Sequence, residues 1–328
     1  MSPTRAQIDK AIGDISIAAL RSWLKSQDLP SSAQTRDEIT ERFKKLLDEN
    51  KLSWETLEKG ITGIEEASAK RITLCTIGSE GLKQITNPTV FTKHLGKLKI
   101  NPSSDALLAP RLPAKSTFVY LIDGPSQLRA KWAETHTAIT IDVAKEQLVR
   151  TKITKIVLFV VDKKDGFAQL RFDKPELIHQ HLDEKKKPNA TAYFSYYRAT
   201  AEEISGCALN SLELRPALRS LVETTPRIVR LPLNDFRTGA NSRVRFASRT
   251  DIRDDDDWKA MHGKGGEDWA HDSEAIYWLP GASAGKLTRE VFSDLDGRTG
   301  KLRVEADCHE GEIEYAILKI REHLSKTS

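Results

Sequence analysis

Residues 215–249 read RPALRSLVETTPRIVRLPLNDFRTGANSRVRFASR. Two runs, RIVRLPL and SRVRFAS, flank a turn containing Thr238, Gly239, Ala240 and Asn241, the pattern of an antiparallel hairpin. In SRVRFAS, alternation puts Val244 and Phe246 on one face and Arg243 and Arg245 on the other. Eight arginines (Arg215, Arg219, Arg227, Arg230, Arg237, Arg243, Arg245 and Arg249) stand against Glu223 and Asp235, with no lysine, a local net of +6. Arginine carries a planar, permanently charged fork that grips phosphate with two parallel hydrogen bonds. The arginine face is then a track for a nucleic-acid backbone, or a site for an acidic partner, or a set of charges paired internally. The acids for internal pairing stand just downstream. Asp251 to Glu274 holds nine acids against Arg253, Lys259 and Lys264, net −6.

Further hairpins surround this one. KITKIVLFVVD is the strongest strand signal, with Ile156 to Val161 the longest apolar run, and Lys163, Lys164, Asp165 and Gly166 turn it into FAQLRFD. TFVYLID ahead of Gly124-Pro125, TAYFSYYRA, EAIYWLPG and LTREVFSDLDGRTGKLRVEAD also read as strands. Residues 137–149 begin as a strand and either continue so or turn helical. Helices are expected at 175–182, across Cys207 to Leu221, in DDDDWKAMHG, and in GEIEYAILKIREHL, where Ile313, Ile317, Ile320 and Leu324 form one stripe. Strands joined by hairpins and interrupted by helices define an antiparallel α+β body, not a parallel nucleotide-binding sheet.

Composition sets the frame. A chain of 328 residues, 39% apolar and 30% charged, has the makeup of a globular protein with room for two domains. The net charge is only +4, but it is unevenly spread. Residues 1–75 balance twelve basic and twelve acidic side chains, residues 83–187 hold nineteen basic against eleven acidic, and residues 188–328 hold twenty against twenty-three. The middle is the basic part. Cys75, Cys207 and Cys308 are far apart and odd in number, which is neither a disulfide framework nor zinc spacing and fits a reducing cytoplasm. No export signal or run of transmembrane length is present.

Residues 5–75 read as small helices. Ile8, Ile12 and Ile15 keep helical spacing, as do Leu20, Trp23 and Leu24. Leu29-Pro30 closes one helix, Thr35 with Glu38 opens the next as a capping box, and Ser53 opens a third whose Leu57, Ile61 and Ile64 face inward. Residues 76–115, punctuated by Gly78, Gly81, Pro88, Gly96, Pro102, Pro110 and Pro113, form a connecting region around a short helix at Thr89 to Leu95. The expected division is therefore a helical module at 1–75, a connector at 76–115 and an α+β domain at 116–328 with a break near 205–225.

LRSWLKSQDLPSSAQTRDEITERFKKLL resembles the SAP and related helix-extension-helix modules: an apolar helix, an "LP-S" link and a helix opening on Thr35-Arg36-Asp37-Glu38-Ile39. The resemblance implies that link and helix start lie on DNA backbone, a contact that free N–H groups at a helix N-terminus make. By position the contacts would be Lys25, Ser31, Ser32, Thr35 and Arg36. The glycine usual in the link is missing, with Ala33 near its place. The order of elements also resembles the centromere protein N family, on KLSWETLEKGITGIEEASAKRITLCTI, on STFVYLID with KITKIVLFVVDKKDGFAQLRF, and on KLRVEADCHEGEIEYAILKIREHL. That resemblance implies a helical N-terminal domain and a basic groove holding nucleosomal DNA.

Enzymatic signatures are thin. No phosphate loop, dinucleotide fingerprint, nucleophile elbow or HExxH occurs. Gly263, Gly265 and Gly266 are read as a flexible loop, although they could cradle phosphate. Asp254 to Asp257 with His262, Asp268, His271 and Asp272 could hold a divalent ion, but their spacing matches no known cage and a solvated acidic helix start accounts for them. Asp162, Lys163, Lys164 and Asp165 hold nuclease-type groups better explained as a turn, and His179 with His181 is a surface pair. Tyr193, Phe194, Tyr196 and Tyr197 beside Arg198 could stack bases, though alternation buries half of them.

The expectation is a non-enzymatic, cytoplasmic (or, in a eukaryote, nuclear) protein that binds duplex DNA by its backbone, without cofactor or metal, as one subunit of a larger assembly. The helical module, by the five residues named, and the lysine-rich middle are expected to grip backbone phosphates, and Arg227, Arg230, Arg237, Arg243, Arg245 and Arg249 to extend the track. Two alternatives stand beside it: a metal-dependent nuclease using 254–272, and a protein–protein adaptor that touches no nucleic acid.

Overall fold

The computed structural model describes residues 3–13, 15–142, 147–173, 190–223, 228–237, 242–263, 270–305 and 307–326. In chain order the elements are α1 (Arg5–Ile12), α2 (Ile17–Ser26), α3 (Arg36–Asp48), α4 (Trp54–Ala67), β1 (Lys70–Ile77), α5 (Ser79–Thr86), α6 (Pro88–Leu98), β2 (Thr117–Asp123), β3 (Gln127–Asp142), β4 (Gln147–Asp162) and β5 (Phe167–Asp173). They continue with α7 (Ala190–Ser205), β6 (Leu209–Ser211), α8 (Arg215–Glu223), β7 (Val229–Arg237), β8 (Arg243–Ala247), α9 (Asp256–His262), β9 (Ala270–Trp278), β10 (Val291–Asp296), β11 (Lys301–Val304) and α10 (Glu310–Ser325). The fold is α+β with antiparallel strand pairing. No helix among the described residues is long and apolar enough to cross a membrane.

The chain forms two compact units, one from residues 1–71 with 212–328 and the other from residues 72–211. The helical N-terminal segment therefore groups with residues 212–328 as the smaller part of a discontinuous unit, where the sequence suggested a separate module ending at 75. Polar bonds join the two parts of that unit. Ser22 Oγ donates to Glu312 Oε1 at 3.2 Å, Lys25 Nζ to the Thr288 carbonyl at 3.1 Å and Ser68 Oγ to Asp307 Oδ1 at 3.0 Å. The helices themselves follow local rules. Thr35 Oγ1 accepts from the Glu38 amide and Ser53 Oγ from the Thr56 amide, both as side-chain caps. The Glu38 carboxylate turns to the Gln34 amide at 2.6 Å and so does not close a box onto Thr35. Leu57, Ile61 and Ile64 are fully buried, as the helical spacing predicts.

In this discontinuous unit the sheet runs β11-β10-β9-β7-β8. Leu302, Leu295, Ile276, Trp278 and Phe236 alternate onto the buried face, which α8 covers with Leu218 and Leu221. The other face is open and polar. The hairpin of β7 and β8 pairs Arg237 with Arg243 and Leu233 with Ala247, the antiparallel register the sequence implied. Val244 and Phe246 are half-buried while Arg243 and Arg245 are exposed. Residues 238–241 of its turn, and Arg227, lie outside the described residues.

The second unit orders its strands β2-β3-β4-β5-β1, and β6 adds to β1 with Cys75 opposite Ser211. Its central strand buries both faces. Val157, Phe159 and Val161 join the main core with Leu128, Ala130, Leu170 and Tyr197, while Leu158 and Val160 meet Tyr120 on the opposite side. Three differences from the sequence reading occur here. TAYFSYYRA belongs to α7, not to a strand: Tyr197, Ala201 and Ile204 are buried at helical spacing, and that packing overrides the strand preference of aromatic residues. The connector contains two helices, α5 and α6, where one was expected. Gly81 lets α5 pack closely on Cys207, since a Cβ there would lie 2.1 Å from Cys207 Sγ. Finally, Leu209–Ser211 is a short strand ahead of α8, where the whole of 207–221 reads as helix in sequence. The helix expected at 175–182 lies outside the described residues.

Candidate nucleic-acid interface

The arginine hairpin is the first place to look, and most of its charge is already paired. Arg243 Nε and Nη2 meet Asp235 Oδ1 and Oδ2 at 2.9 and 2.5 Å. Arg237 Nε donates to Asp272 Oδ2 at 2.6 Å, and Arg215 Nη2 to Asp272 Oδ1 at 3.0 Å. Burial would raise the Asp272 carboxyl, but the bonds from Arg237 and Arg215 outweigh it and hold it below the usual carboxylate range. Arg230 reaches Glu290 Oε2 at 2.6 Å with its guanidinium 3.9 Å from the centre of the Tyr277 ring, and Arg219 pairs with Glu223 at 3.4 Å. A fork that already holds a carboxylate on two prongs has lost the geometry that would hold a phosphate. Internal pairing is the arrangement found, in part with the downstream acids. Arg245 and Arg249 are exposed and make no ion pair among the described residues.

The same open face carries basic Lys301 and Arg303 beside Asp294 and Asp296, with Arg303 Nε donating to Asp294 Oδ2 at 2.9 Å. A shallow depression lined by Leu233, Arg245, Ser273, Asp296, Lys301 and Arg303 lies among them. Its signs alternate, so it is not a uniformly positive track.

At the helical module the expected contacts take mainly structural roles. Arg36 Nη2 donates to the Ile15 carbonyl at 2.7 Å, and its Nη1 is buried. Ser32 accepts from Arg42 at its carbonyl and hydroxyl oxygens, at 3.2 and 3.3 Å. Thr35 caps α3, Ser31 is half-buried and Lys25 is tied to Thr288. The first turn of α3 carries Asp37 and Glu38, whose negative charge opposes a phosphate at that helix end.

The acidic loop does not assemble a cage among the described residues. Asp256 is on α9, while His271 is buried on β9, with Nδ1 2.9 Å from Glu274 Oε1 and 3.1 Å from Asn234 Nδ2. Burial, and then the charges of His262 and Arg219, push the His271 imidazole down to about 4, while burial pushes the Glu274 carboxyl well up. Both shifts favour the uncharged forms. No group of three or more histidine, cysteine, aspartate or glutamate side chains among the described residues could hold a metal ion. Gly265, Gly266, Asp268, His179 and His181 lie outside the described residues. Lys163, Lys164 and Asp165 form the expected turn, with the Gly166 amide bonded to the Asp162 carbonyl at 2.9 Å.

A basic feature that the sequence reading left open stands in the second unit. β3 and β4 pair without interruption from Gln127–Asp162 to Asp142–Gln147. β2 covers β3 only as far as Ala133, and β5 covers β4 only from Val157 onward. The remaining lengths form a two-stranded ribbon about 25 Å long at the usual rise of an antiparallel strand. Thr137, Arg150, Thr151 and Lys152 on it are exposed. Its root is fixed. Glu134 Oε1 lies 2.5 Å from His136 Nε2, Tyr197 donates to Glu134 Oε2 at 3.1 Å, and Tyr197 Oη lies 2.8 Å from Ser116 Oγ. Burial opposes the charge on Glu134, but bonds from His136, Tyr193 and Tyr197 hold its carboxyl below the usual range. Tyr193, Phe194 and Tyr197 thus pack inward on Phe172, and Tyr196 is the exposed member of the aromatic group. The signal for the ribbon was the alternation in 147–155, where Arg150, Lys152 and Thr154 share a face.

No protein-family model matches the chain, and no curated protein matches it either.

Proposed function

We propose that the protein binds duplex DNA through backbone phosphates, without base readout and without chemistry on the DNA, as one subunit of a larger intracellular assembly. The observation that supports this best is the two-stranded β3–β4 ribbon with Arg150 and Lys152 exposed on it. A two-stranded ribbon fits the major groove, about 12 Å wide, and basic side chains along it meet the phosphates of its walls. The ribbon belongs to the basic stretch 83–187, with nineteen basic against eleven acidic residues. The resemblances of the N-terminal helices and of the element order to DNA-binding families point the same way. Compared with the sequence reading, the expected contact moves from the paired arginines of β7 and β8 to the ribbon, with Arg245 and Arg249 as auxiliary contacts.

The test is duplex binding across a salt series for the wild type, for Arg150→Glu with Lys152→Glu, and for Arg245→Glu with Arg249→Glu. Steeply salt-dependent binding that the ribbon pair weakens most is the expected result. A wild type that binds no duplex at low salt overturns it. The adaptor reading would then take its place, supported by the alternating charges of the open sheet face, which resemble the polar rim of a protein interface. Mg²⁺ in the same tubes reports any cleavage.

A further inference from the structure

Within the discontinuous unit β8 closes the strand order, and no strand pairs with its outer side among the described residues. The register fixes which groups that side shows. β7 and β8 pair from Leu233 with Ala247 to Arg237 with Arg243, without a bulge. Just beyond Ala247, the Ser248 amide donates to the Pro232 carbonyl at 2.8 Å. Hydrogen-bonded and non-hydrogen-bonded pairs alternate along an antiparallel ladder, so Phe246 and Val244 turn their backbone groups to β7. The N–H and C=O groups of Arg243, Arg245 and Ala247 therefore point away from β7. An edge of this kind is a template for a further strand.

The side chains along the edge are sorted by face. Arg243, Arg245 and Ala247, whose backbone groups point outward, are exposed. Asp235 stands opposite Arg245 in the register but gives both carboxylate oxygens to Arg243. Arg245 is left without an ion pair among the described residues. Val244 and Phe246 lie on the other face and are half-buried. The Phe246 ring stacks 6.2 Å from that of the fully buried Phe236, so the core layer runs out to this edge and ends there half-covered.

These side chains discriminate among occupants. A second copy paired antiparallel on the same edge sets arginine against arginine, and like charges directly opposite destabilise a strand pair. A nucleic-acid backbone meets the arginines but offers acceptors only, and leaves the outward carbonyls and the half-covered apolar side chains unmatched. An acidic strand matches all of them.

We propose that the β8 edge receives an extended segment of a partner protein as an added strand, its acidic side chains alternating with apolar ones. The acids stand beside Arg243 and Arg245, and the apolar side chains cover Val244 and Phe246. Main-chain bonds to Arg243, Arg245 and Ala247 supply affinity, and the alternation supplies specificity. The proposal rests on the subunit part of the reading above, not on the ribbon. A docked strand covers Arg245 and withdraws it from DNA.

Calorimetric titration of the full chain with a peptide of alternating glutamate and valine tests it. One control peptide has lysine in place of glutamate. Another is N-methylated at each glutamate, the residues whose N–H groups face β8. The unmodified peptide binds, and both controls bind at least about tenfold more weakly. Ala247→Pro removes an outward N–H that β7 does not use, a position where an edge strand tolerates proline. That variant melts like the wild type and loses about tenfold in peptide affinity. Arg245→Glu, at an exposed residue, also weakens the peptide about tenfold, and it decides alone if Ala247→Pro melts lower. No peptide binding by the wild type, equal binding of the N-methylated peptide, or unchanged affinity in Arg245→Glu overturns the proposal. Duplex DNA titrated in parallel keeps the two readings apart. Peptide binding without duplex binding upholds the edge and sinks the ribbon reading, and duplex binding without peptide binding does the reverse.

Discussion

Arg243 grips Asp235 with two prongs across the hairpin, although the arginine side chain is 69% exposed and the aspartate only 2%. The pair is thus asymmetric: the arginine reaches in from solvent to satisfy a carboxylate that cannot reach water. Removing Arg243 leaves a buried charge without its partner, which costs more than removing a surface charge. Arg243→Ala is expected to lower the melting temperature, while Arg245→Ala leaves it unchanged. Adding Asp235→Asn to Arg243→Ala recovers part of the loss. Thermal melting of the four proteins checks this, and equal melting of the two single variants would mean that the pair contributes nothing.

This asymmetry also decides which substitutions can report on DNA. Charge reversal at Arg243 or Arg237 would disturb Asp235 or Asp272 and so confuse binding with folding. Arg150 and Lys152 carry no such burden among the described residues. If each meets one phosphate, reversing both flattens the slope of log K against log salt by roughly two. A slope unchanged by the ribbon pair removes the ribbon from the interface.

The buried His271 gives stability a pH dependence of known sign. Its folded value, pushed down to about 4 by burial, is below the unfolded value of about 6.5. The folded state therefore demands the neutral ring. The stability this contributes is complete above about pH 6.5 and is lost as pH falls toward 4, by at most about 3 kcal/mol. Urea unfolding of the wild type and of His271→Gln between pH 7 and 4 should show the steeper decline in the wild type. Parallel declines would contradict it.

Glu274 acts in the opposite direction. Burial raises its carboxyl well above the ordinary value, so its contribution is present below about pH 4.5 and is lost as pH rises toward the folded value. Glu274→Gln keeps an acceptor for Asn234 and removes the ionisable group. The variant should be more stable than the wild type at pH 7, with the advantage vanishing near pH 4. A variant less stable at pH 7 would show that the ionised carboxylate is needed.

Two glycines of α4 are expected to respond in opposite ways to alanine. In a helix, Gly→Ala ordinarily stabilises by up to about 1 kcal/mol. At Gly63 the new methyl would meet Glu310 Cβ at 3.7 Å, an ordinary contact, so the gain should appear. At Gly60 it would lie 2.2 Å from the Trp23 ring, and overpacking of that kind costs about 1–3 kcal/mol. Gly60→Ala should therefore destabilise, as chemical denaturation of both variants would reveal.

The sequence by itself determined the elements whose side-chain period and end signals agree. The β7–β8 and β10–β11 hairpins, the β4–β5 turn at Lys163 to Gly166, the side-chain caps at Thr35 and Ser53 and the final helix all rest on interactions within a few residues and formed as their patterns implied, except that Glu38 turns to Gln34 and leaves the box at Thr35 open. Tertiary structure decided the rest. α7 is a helix because Tyr197, Ala201 and Ile204 meet Phe172 and its neighbours, residues that no local window contains. The grouping of residues 1–71 with 212–328 depends on bonds such as Ser22 to Glu312, across 290 positions. The fate of the arginines was of the same kind. Composition fixes how many charges a segment carries, but whether a fork faces a carboxylate or the solvent depends on which strands the fold sets side by side. Asp272 reaches Arg237 from the neighbouring strand β9 and Arg215 from a helix, while Arg150 and Lys152 point to water because β2 and β5 end before the ribbon does.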